Sequence, residues 1–182
     1  SRDRRSGHLH VRAADDRPLL AHAHVHAQAQ LLVGDVAHEA DALAQVVAAV
    51  PGAHALLLGA PVDPVVADAV RARIEESGLS DHVHLLGTRS DVAAVLSACT
   101  VGVLSSRSEG FPLALLEYGS AGLAVVATDV GECADILDHG RAGRLVPHGD
   151  PERVAGALID LLSDTEEAER VGQRLLGHVN AR

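Results

Sequence analysis

The chain has 182 residues, which is room for one α/β domain of ordinary size but not for two. Its net charge of -10 and the absence of any basic run make nucleic acid and anionic membrane surfaces poor partners. The chain has no apolar stretch near the ~20 residues that span a bilayer, and its first residues are too polar for a secretory signal. We therefore expect a cytoplasmic protein, either free or peripheral at the inner face of the membrane.

Residues 1–29 differ in composition from the rest of the chain. They are rich in His, Ala and Arg and hold five of the twelve histidines: His8, His10, His22, His24 and His26. Alternating histidines project from one face of a strand, as imidazoles in some metal sites do. No further ligands can be identified, and the Ala-His and Ala-Gln alternation favours a poorly ordered, low-complexity leader. We predict a folded domain over residues 30–182 and no bound metal.

From Leu31 onward, short apolar runs alternate with helical patterns. The runs cover 31–33, 55–58, 83–86, 101–104, 124–127 and 145–146, and the helical patterns between them include 39–50, 64–76 and 89–98. Two further helices are expected from Asp150 to about Val179, with Asp150 as the N-cap and Pro151 at the first helical position. This order predicts an α/β domain with a doubly wound, Rossmann-like parallel sheet and C-terminal helices.

The predicted core is aliphatic. Hydrophobic residues make up 47% of the chain but aromatic residues only 1%, so the core must be built from Ala, Val and Leu, as in buried parallel strands covered by Ala-rich helices. The two cysteines, Cys99 and Cys133, have no metal-ligand spacing. We interpret them as buried free thiols in a reducing compartment.

The most informative segment is 105–122, which directly follows the apolar run at 101–104 and reads SSRSEGFPLALLEYGSAG. Gly110 permits a sharp turn, Pro112 suits the first turn of a helix, and Gly122 suits its C-terminal cap. The segment therefore predicts a helix from about Phe111 to Ala121, with its N-terminus at the carboxyl edge of the sheet. Free N–H groups at such a helix end are suited to binding an anion.

Two carboxylates frame the predicted helix. Glu109 lies just before it and Glu117 lies eight positions later, as the only charge in an otherwise apolar helix. A carboxylate can accept two hydrogen bonds from adjacent hydroxyls of a ribose or a hexose, and the helix N-terminus between them can hold a diphosphate. The alternative is that Glu117 lies on a solvated face and Glu109 only interacts favourably with the helix dipole.

The sequence around the two glutamates, extended to residue 151, resembles a known protein family. EGFPLALLE at 109–117, GSAGLAVVATDVGE at 119–132 and HGRAGRLVPHGDP at 139–151 resemble the C-terminal domain of glycosyltransferase family 4, also called group 1. Upstream, HLLGTRSDV at 84–92 resembles the base-contacting loop of that family, and the resemblance covers roughly residues 31–178. It implies the GT-B architecture of two facing Rossmann-like domains, of which this chain would hold the donor-binding one.

The resemblance implies a role for each site residue. Glu109 would be the catalytic residue that holds hydroxyls of the transferred sugar, and Glu117 would hold the ribose. The remaining donor-binding positions are Gly110, Phe111, Pro112 and Leu113 beside the sugar and diphosphate, and Thr88 and Arg89 along the base. The implied reaction is a retaining hexosyl transfer from a UDP- or GDP-linked sugar to an acceptor sugar or lipid-linked glycan, without a metal or another cofactor.

The chain departs from the family in two respects. The family's first strand ends in Gly-Arg, followed by a Lys, and both cations neutralise the diphosphate. Here Asp35 occupies the Arg position, and the chain contains no Lys. Arg107 and Arg89 are candidate compensating cations. In addition, the acceptor site and a catalytic His belong to the N-terminal domain of the family, which residues 1–30 are too short to supply.

Three alternatives remain open. The first is a catalytically degenerate module that binds nucleotide sugars or regulates another protein, and the loss of the diphosphate cations favours it. The second is a metal-dependent hydrolase that uses the leader histidines. The third is a sugar-nucleotide epimerase, since such enzymes share the same architecture.

Overall fold

The computed structural model describes residues 27–32, 36–59 and 64–182. Strands and helices alternate along the chain: β1 (Ala27–Leu32), α1 (Val36–Ala49), β2 (Ala53–Leu58), α2 (Pro64–Glu76), β3 (Val83–Gly87), α3 (Val92–Ser97), β4 (Val101–Leu104), α4 (Leu113–Ser120), β5 (Ala124–Thr128), α5 (Cys133–Ile136), a 3-10 turn (Asp138–Gly140), β6 (Arg144–Val146), α6 (Pro151–Ser163) and α7 (Thr165–Asn180). In the described residues no helix is long and apolar enough to cross a membrane.

The six strands form one parallel sheet in the order β3-β2-β1-β4-β5-β6. The strand order reverses between β1 and β4, so helices cover both faces and the loops at the carboxyl ends of the strands meet at one edge. This arrangement confirms the predicted doubly wound sheet with C-terminal helices.

Several predicted boundaries need correction. β1 begins at Ala27 rather than Leu31, so the predicted boundary between leader and domain at 29/30 falls inside a strand. α3 is shorter than the pattern at 89–98, since Arg89 and Asp91 belong to the preceding loop. α4 begins at Leu113 rather than about Phe111 because Pro112 has an extended backbone with ψ of 90°. The leader histidines lie outside the described residues.

The core lies on both faces of the sheet. Side chains of β4 and β5 are buried throughout, as expected of central parallel strands. On one face Val101 and Val103 pack with α1 and α6, and on the other Leu104 packs with α4, α5 and α7. Cys133 is buried and Cys99 is half-buried, and neither forms a disulfide, as predicted. Burial raises the pKa of Cys99 to about 12, which makes it a poor nucleophile.

Close packing fixes α4 against the sheet. The ring of Tyr118, 1% exposed, lies over Gly102 of β4, where a Cβ atom would come within 2.6 Å of the ring. On its other side α4 meets α7, where a Cβ on Gly119 would lie 2.7 Å from Val179. Gly122 ends the helix with a φ of 74°, as the sequence predicted. Because α4 is held on both sides, its N-terminus has a fixed position at the carboxyl edge.

The C-terminal helices are capped by two aspartates. The carboxylate of Asp150 accepts a hydrogen bond from the Arg153 N–H at 2.9 Å, and that of Asp164 accepts one from the Glu167 N–H at 2.9 Å. The first cap and the Pro at the first helical position follow the prediction. The second cap explains why two helices form here rather than one.

Candidate functional site

A loop of eight residues, 105–112, connects β4 to α4 at the carboxyl edge of the sheet. Its last residue, Pro112, precedes α4 without a side-chain cap, so the N–H groups of the first helical turn have no side-chain partner at that position. Phe111 and Leu113 are 55% and 65% exposed on either side of it. The helix end therefore opens to solvent beside two apolar side chains, a surface able to receive an anionic ligand.

The carboxylate of Glu109 is held within this loop, which we name the acidic loop. Glu109 is half-buried, and the Ser106 hydroxyl donates a hydrogen bond of 2.5 Å to its Oε1 atom. Within the described residues Oε2 has no hydrogen-bond partner, so the carboxylate keeps acceptor capacity for a ligand.

The end of β5 and the turn that follows it contact the acidic loop. The hydroxyl of Thr128, 2% exposed, donates a hydrogen bond of 2.7 Å to the carbonyl of Ser106. The N–H of Glu132 lies 3.4 Å from the carbonyl of Gly110. Gly131 has a φ of 51° and lies so close to the loop that a Cβ atom there would be 1.9 Å from the Glu109 carbonyl.

Sequence reasoning missed the contribution of Thr128 and Gly131. The sequence shows a glycine in a turn after a strand, which indicates only that the chain reverses there. Contact with the acidic loop follows from the pairing of β4 with β5, which places the two carboxyl-end loops side by side.

Glu117 lies on α4, and its side chain is exposed. Among the described residues its carboxylate makes no hydrogen bond or ion pair. The neighbouring Tyr118 is buried, so the helix turns its apolar face to the core and presents Glu117 outward. This exposure also fits the alternative of a solvated face, so the part of Glu117 in binding the ribose stays a prediction.

Thr88 and Arg89 follow β3 at the same edge of the sheet. Thr88 is exposed. Arg89 forms a bidentate ion pair with Asp91, with donor–acceptor distances of 2.7 and 2.6 Å. These hydrogen bonds lower the pKa of the Asp91 carboxyl. The charge of Arg89 is thus already balanced by Asp91, which weakens the prediction that it replaces a missing diphosphate cation.

Arg107 is the second candidate cation. It is exposed in the acidic loop, two residues before Glu109, and it makes no ion pair with any other residue that the structure describes. Asp35, which occupies the family's Arg position, lies outside the described residues. So do the leader histidines, and over the described ranges no group of three or more His, Cys, Asp and Glu side chains is arranged to hold a metal ion.

The fold is shared with solved structures of glycosyltransferases. The C-terminal domain of the group 1 glycosyltransferase LpcC from Francisella tularensis superposes with a TM-score of 0.77 at 21% identity, covering 86% of this chain and 85% of that one. HepE from Anabaena, solved in complex with UDP, superposes with a TM-score of 0.78 at 23% identity and covers 85% of this chain but 44% of that one. The matched unit is one domain of the larger protein.

Sequence comparison identifies the family directly. The lipopolysaccharide core biosynthesis mannosyltransferase LpcC of Rhizobium leguminosarum is 35% identical over 115 residues, which are 63% of this chain and 33% of that protein. The chain thus spans about a third of the length of this curated relative. The family model described as glycosyl transferases group 1 matches residues 28–164, which include all of the sheet except Ala27 and also the acidic loop. This chain belongs to the group 1 glycosyltransferase family.

Proposed function

We propose that this chain binds a nucleoside-diphosphate sugar at the carboxyl edge of β4 and β5 and serves as the donor-binding part of a hexosyltransferase. The observation that carries the proposal is the open α4 N-terminus between Glu109 and Glu117, since both carboxylates keep acceptor capacity. A nucleotide sugar has hydroxyls at both ends and a diphosphate between them, which is the complementary pattern. The UDP in the HepE structure supports a nucleoside diphosphate as part of the ligand.

Each residue of the site has an assigned part in binding. Glu109 accepts hydrogen bonds from hydroxyls of the sugar, and Glu117 accepts them from the ribose. The N–H groups of Gly110, Phe111 and Leu113 approach the diphosphate, whereas Pro112 has no N–H and contributes shape. Thr88 and Arg89 lie along the base. We assign Arg107 as the cation that offsets the diphosphate charge, since its guanidinium is exposed and unpaired within the described residues.

The proposed reaction is a transfer with retention of the anomeric configuration. The bond between the anomeric carbon and the diphosphate oxygen breaks with its electron pair on that oxygen, the acceptor oxygen bonds to the anomeric carbon, and the acceptor proton passes to the departing diphosphate. Negative charge develops on the departing diphosphate, where the N–H groups of α4 and Arg107 stabilise it more strongly than in the ground state. A second domain, facing the acidic loop, would bring the acceptor.

We propose a sugar or a lipid-linked glycan as the acceptor, used in the cytoplasm or at the inner face of the membrane. The name of the Rhizobium relative, a lipopolysaccharide core biosynthesis mannosyltransferase, supports a glycan acceptor and a hexose donor. The exposed Phe111 and Leu113 beside the helix end support a second surface closing over the donor, because closure would remove these side chains from water.

A degenerate binding module is the second candidate function. The pairing of Arg89 with Asp91 favours it, together with Asp35 and the absence of Lys, because few cations remain to offset a diphosphate. Hydrogen bonds to charged groups contribute about 1.5–3 kcal/mol each. Such a module would bind a nucleotide sugar weakly and transfer none of it when joined to an acceptor domain.

Ligand-induced stabilisation of the purified chain tests the proposal. UDP, GDP, UDP-glucose and GDP-mannose are added in turn while the midpoint of thermal unfolding is followed. A ligand at 100 times its Kd stabilises the folded state by about 2.7 kcal/mol. We expect one base to be preferred and Glu117→Gln to weaken its binding at least tenfold, since a charge-assisted hydrogen bond is lost.

The matched control is Glu169→Gln, an exposed glutamate on α7 away from the acidic loop. It should leave the midpoint unchanged with and without ligand. A folded wild-type protein that none of the four ligands stabilises at millimolar concentration would refute donor binding by this chain. Binding without transfer, once an acceptor domain is supplied, would favour the degenerate module.

A further inference from the structure

The carboxylate of Glu109 is connected to the sheet through two hydroxyl groups. Ser106 donates to Glu109 Oε1 at 2.5 Å, and Thr128 donates to the carbonyl of Ser106 at 2.7 Å. Thr128 is a residue of β5 and is 2% exposed, so its position is fixed by the core. A chain of hydrogen bonds therefore runs from a buried strand to the tip of a loop side chain.

The backbone of the acidic loop is held at the same place. Gly131 packs against the carbonyl of Glu109 with room for a hydrogen atom but not for a Cβ atom. A free glutamate side chain occupies many rotamers and loses ~2 kcal/mol of conformational entropy when it is fixed. With the backbone and one carboxylate oxygen both held, much of that loss has occurred before a ligand arrives.

We propose that Ser106 is a positioning residue that orients the Glu109 carboxylate toward the hydroxyls of the transferred sugar, with Thr128 and Gly131 holding Ser106 and the loop in place. This inference rests on the proposed function. It deepens that function by separating two parts of donor recognition. Ser106 acts through Glu109 on the sugar, whereas the groups assigned to the nucleoside diphosphate receive no hydrogen bond from the Ser106 hydroxyl.

The separation predicts a change in selectivity. In Ser106→Ala the Glu109 carboxylate can rotate and be solvated. The amount by which UDP-glucose binds more tightly than UDP should therefore fall. We expect the affinity for UDP-glucose to drop about tenfold, the loss of one hydrogen bond to a charged group, while that for UDP is unchanged. If the guanine nucleotide binds instead, the same comparison is made with GDP-mannose and GDP.

Calorimetric titration of the purified chain with both ligands provides the test, and a double-mutant cycle shows whether Ser106 acts through Glu109. The variants are Ser106→Ala, Ser106→Thr, Glu109→Gln and the double variant Ser106→Ala/Glu109→Gln. Ser106→Thr keeps the hydroxyl and should keep the sugar selectivity. In the Glu109→Gln background, loss of the Ser106 hydroxyl should have little further effect. Ser108→Ala, an exposed serine of the same loop, is the matched control.

The outcomes are distinguishable. A wild-type protein that binds neither member of either ligand pair refutes the proposed function and this inference with it. A wild-type protein that binds both members, with unchanged sugar selectivity in Ser106→Ala, refutes the inference alone. An equal loss for UDP and UDP-glucose would show a purely structural role. An effect of Ser106→Ala that persists in Glu109→Gln would place its action elsewhere.

Discussion

Polar side chains at the carboxyl edge of the sheet differ from those at the amino edge in what their polar atoms contact. At the carboxyl edge, hydrogen bonds from Thr128 and Ser106 hold the acidic loop, and the carboxylate of Glu109 keeps a free oxygen within the described residues. At the amino edge, His54 and His84 bond to each other, with their ring nitrogens 3.0 Å apart. The ring of His82 stacks on that of His54, with centroids 5.4 Å apart.

The difference shows what distinguishes a binding edge from a structural one. His82 bonds to the carbonyl of Ala53 at 2.9 Å, so the histidines at the amino edge use their polar atoms on one another and on the backbone. Burial, followed by repulsion from the neighbouring imidazoles, lowers the pKa of His54 and of His84. The acidic loop is held by Thr128 and Gly131 and keeps an exposed surface, whereas the histidines bond to one another and to the backbone. We therefore expect the histidines to affect stability and not ligand binding.

The largest expected effect comes from Gly131→Ala, which disrupts the packing of the acidic loop at the carboxyl edge. The added methyl would lie 1.9 Å from the Glu109 carbonyl, so the loop or the turn must move. We expect a loss of about 1–3 kcal/mol in the free energy of unfolding and loss of measurable nucleotide-sugar binding. Denaturant titration and calorimetry measure the two effects.

Gly149→Ala is the control for Gly131→Ala. Gly149 also has a positive φ, 75°, but nothing lies within 4 Å of its missing Cβ atom. Gly149→Ala therefore introduces backbone strain without a steric clash. It should lower the free energy of unfolding by about 1 kcal/mol and leave ligand binding unchanged. Equal behaviour of the two variants would show that contact with the acidic loop is unimportant.

A smaller effect is expected for Thr128→Val. The substitution keeps the shape of the side chain but removes the hydroxyl that bonds the Ser106 carbonyl. We expect a loss of about 1–2 kcal/mol in the free energy of unfolding and weaker binding of the sugar part of the donor. Thr128→Ser, which keeps the hydroxyl that bonds the Ser106 carbonyl, should retain most of the stability and most of the sugar binding. Wild-type stability and sugar selectivity in Thr128→Val would show that Thr128 does not hold Ser106 in place.

The smallest effect concerns the amino edge and appears only with pH. An unfolded histidine has a pKa near 6.5, so lowered values in the folded state mean that unfolding takes up protons below about pH 7. The free energy of unfolding should therefore fall as the pH is lowered from 7 to 5. In His54→Gln, which removes one proton site and its repulsion on His84, the fall should be shallower.

His148→Gln is the control for His54→Gln, since His148 is exposed on a turn. Urea unfolding at pH 5, 6 and 7 gives the comparison. The same acid sensitivity in His54→Gln and wild type would show that the histidines at the amino edge do not act as a group. Nucleotide binding at pH 7 should be unaffected in both variants.

The sequence was sufficient for the fold class and for the positions of Glu109 before α4 and Glu117 on it, whereas their roles in binding stay predictions. The alternation of apolar runs with helical patterns predicted the sheet, and the spacing of Glu109 and Glu117 placed them on either side of a helix N-terminus. These features are local or periodic, so a single chain segment carries the information. The boundary error at α4 has a local cause too, the extended backbone of Pro112.

What the sequence could not supply depends on contacts between distant segments. Thr128 and Ser106 are 22 residues apart and meet only because β4 pairs with β5. His54 and His84 are 30 residues apart and meet through the register of β2 and β3. The pairing of Arg89 with Asp91 is local, but whether two such side chains bond depends on the loop that carries them.

The most direct test of the account is to locate the bound donor on the protein. The amide spectrum of the ¹⁵N-labelled chain is recorded by NMR while UDP-glucose is added, with GDP-mannose as the second probe. We predict saturable shifts in the amides of residues 106–111 and 113–117 and of Thr88, with the amides of His54, His82 and His84 unchanged. Shifts confined to the amino edge, or a folded protein with no shifts at millimolar ligand, would contradict it.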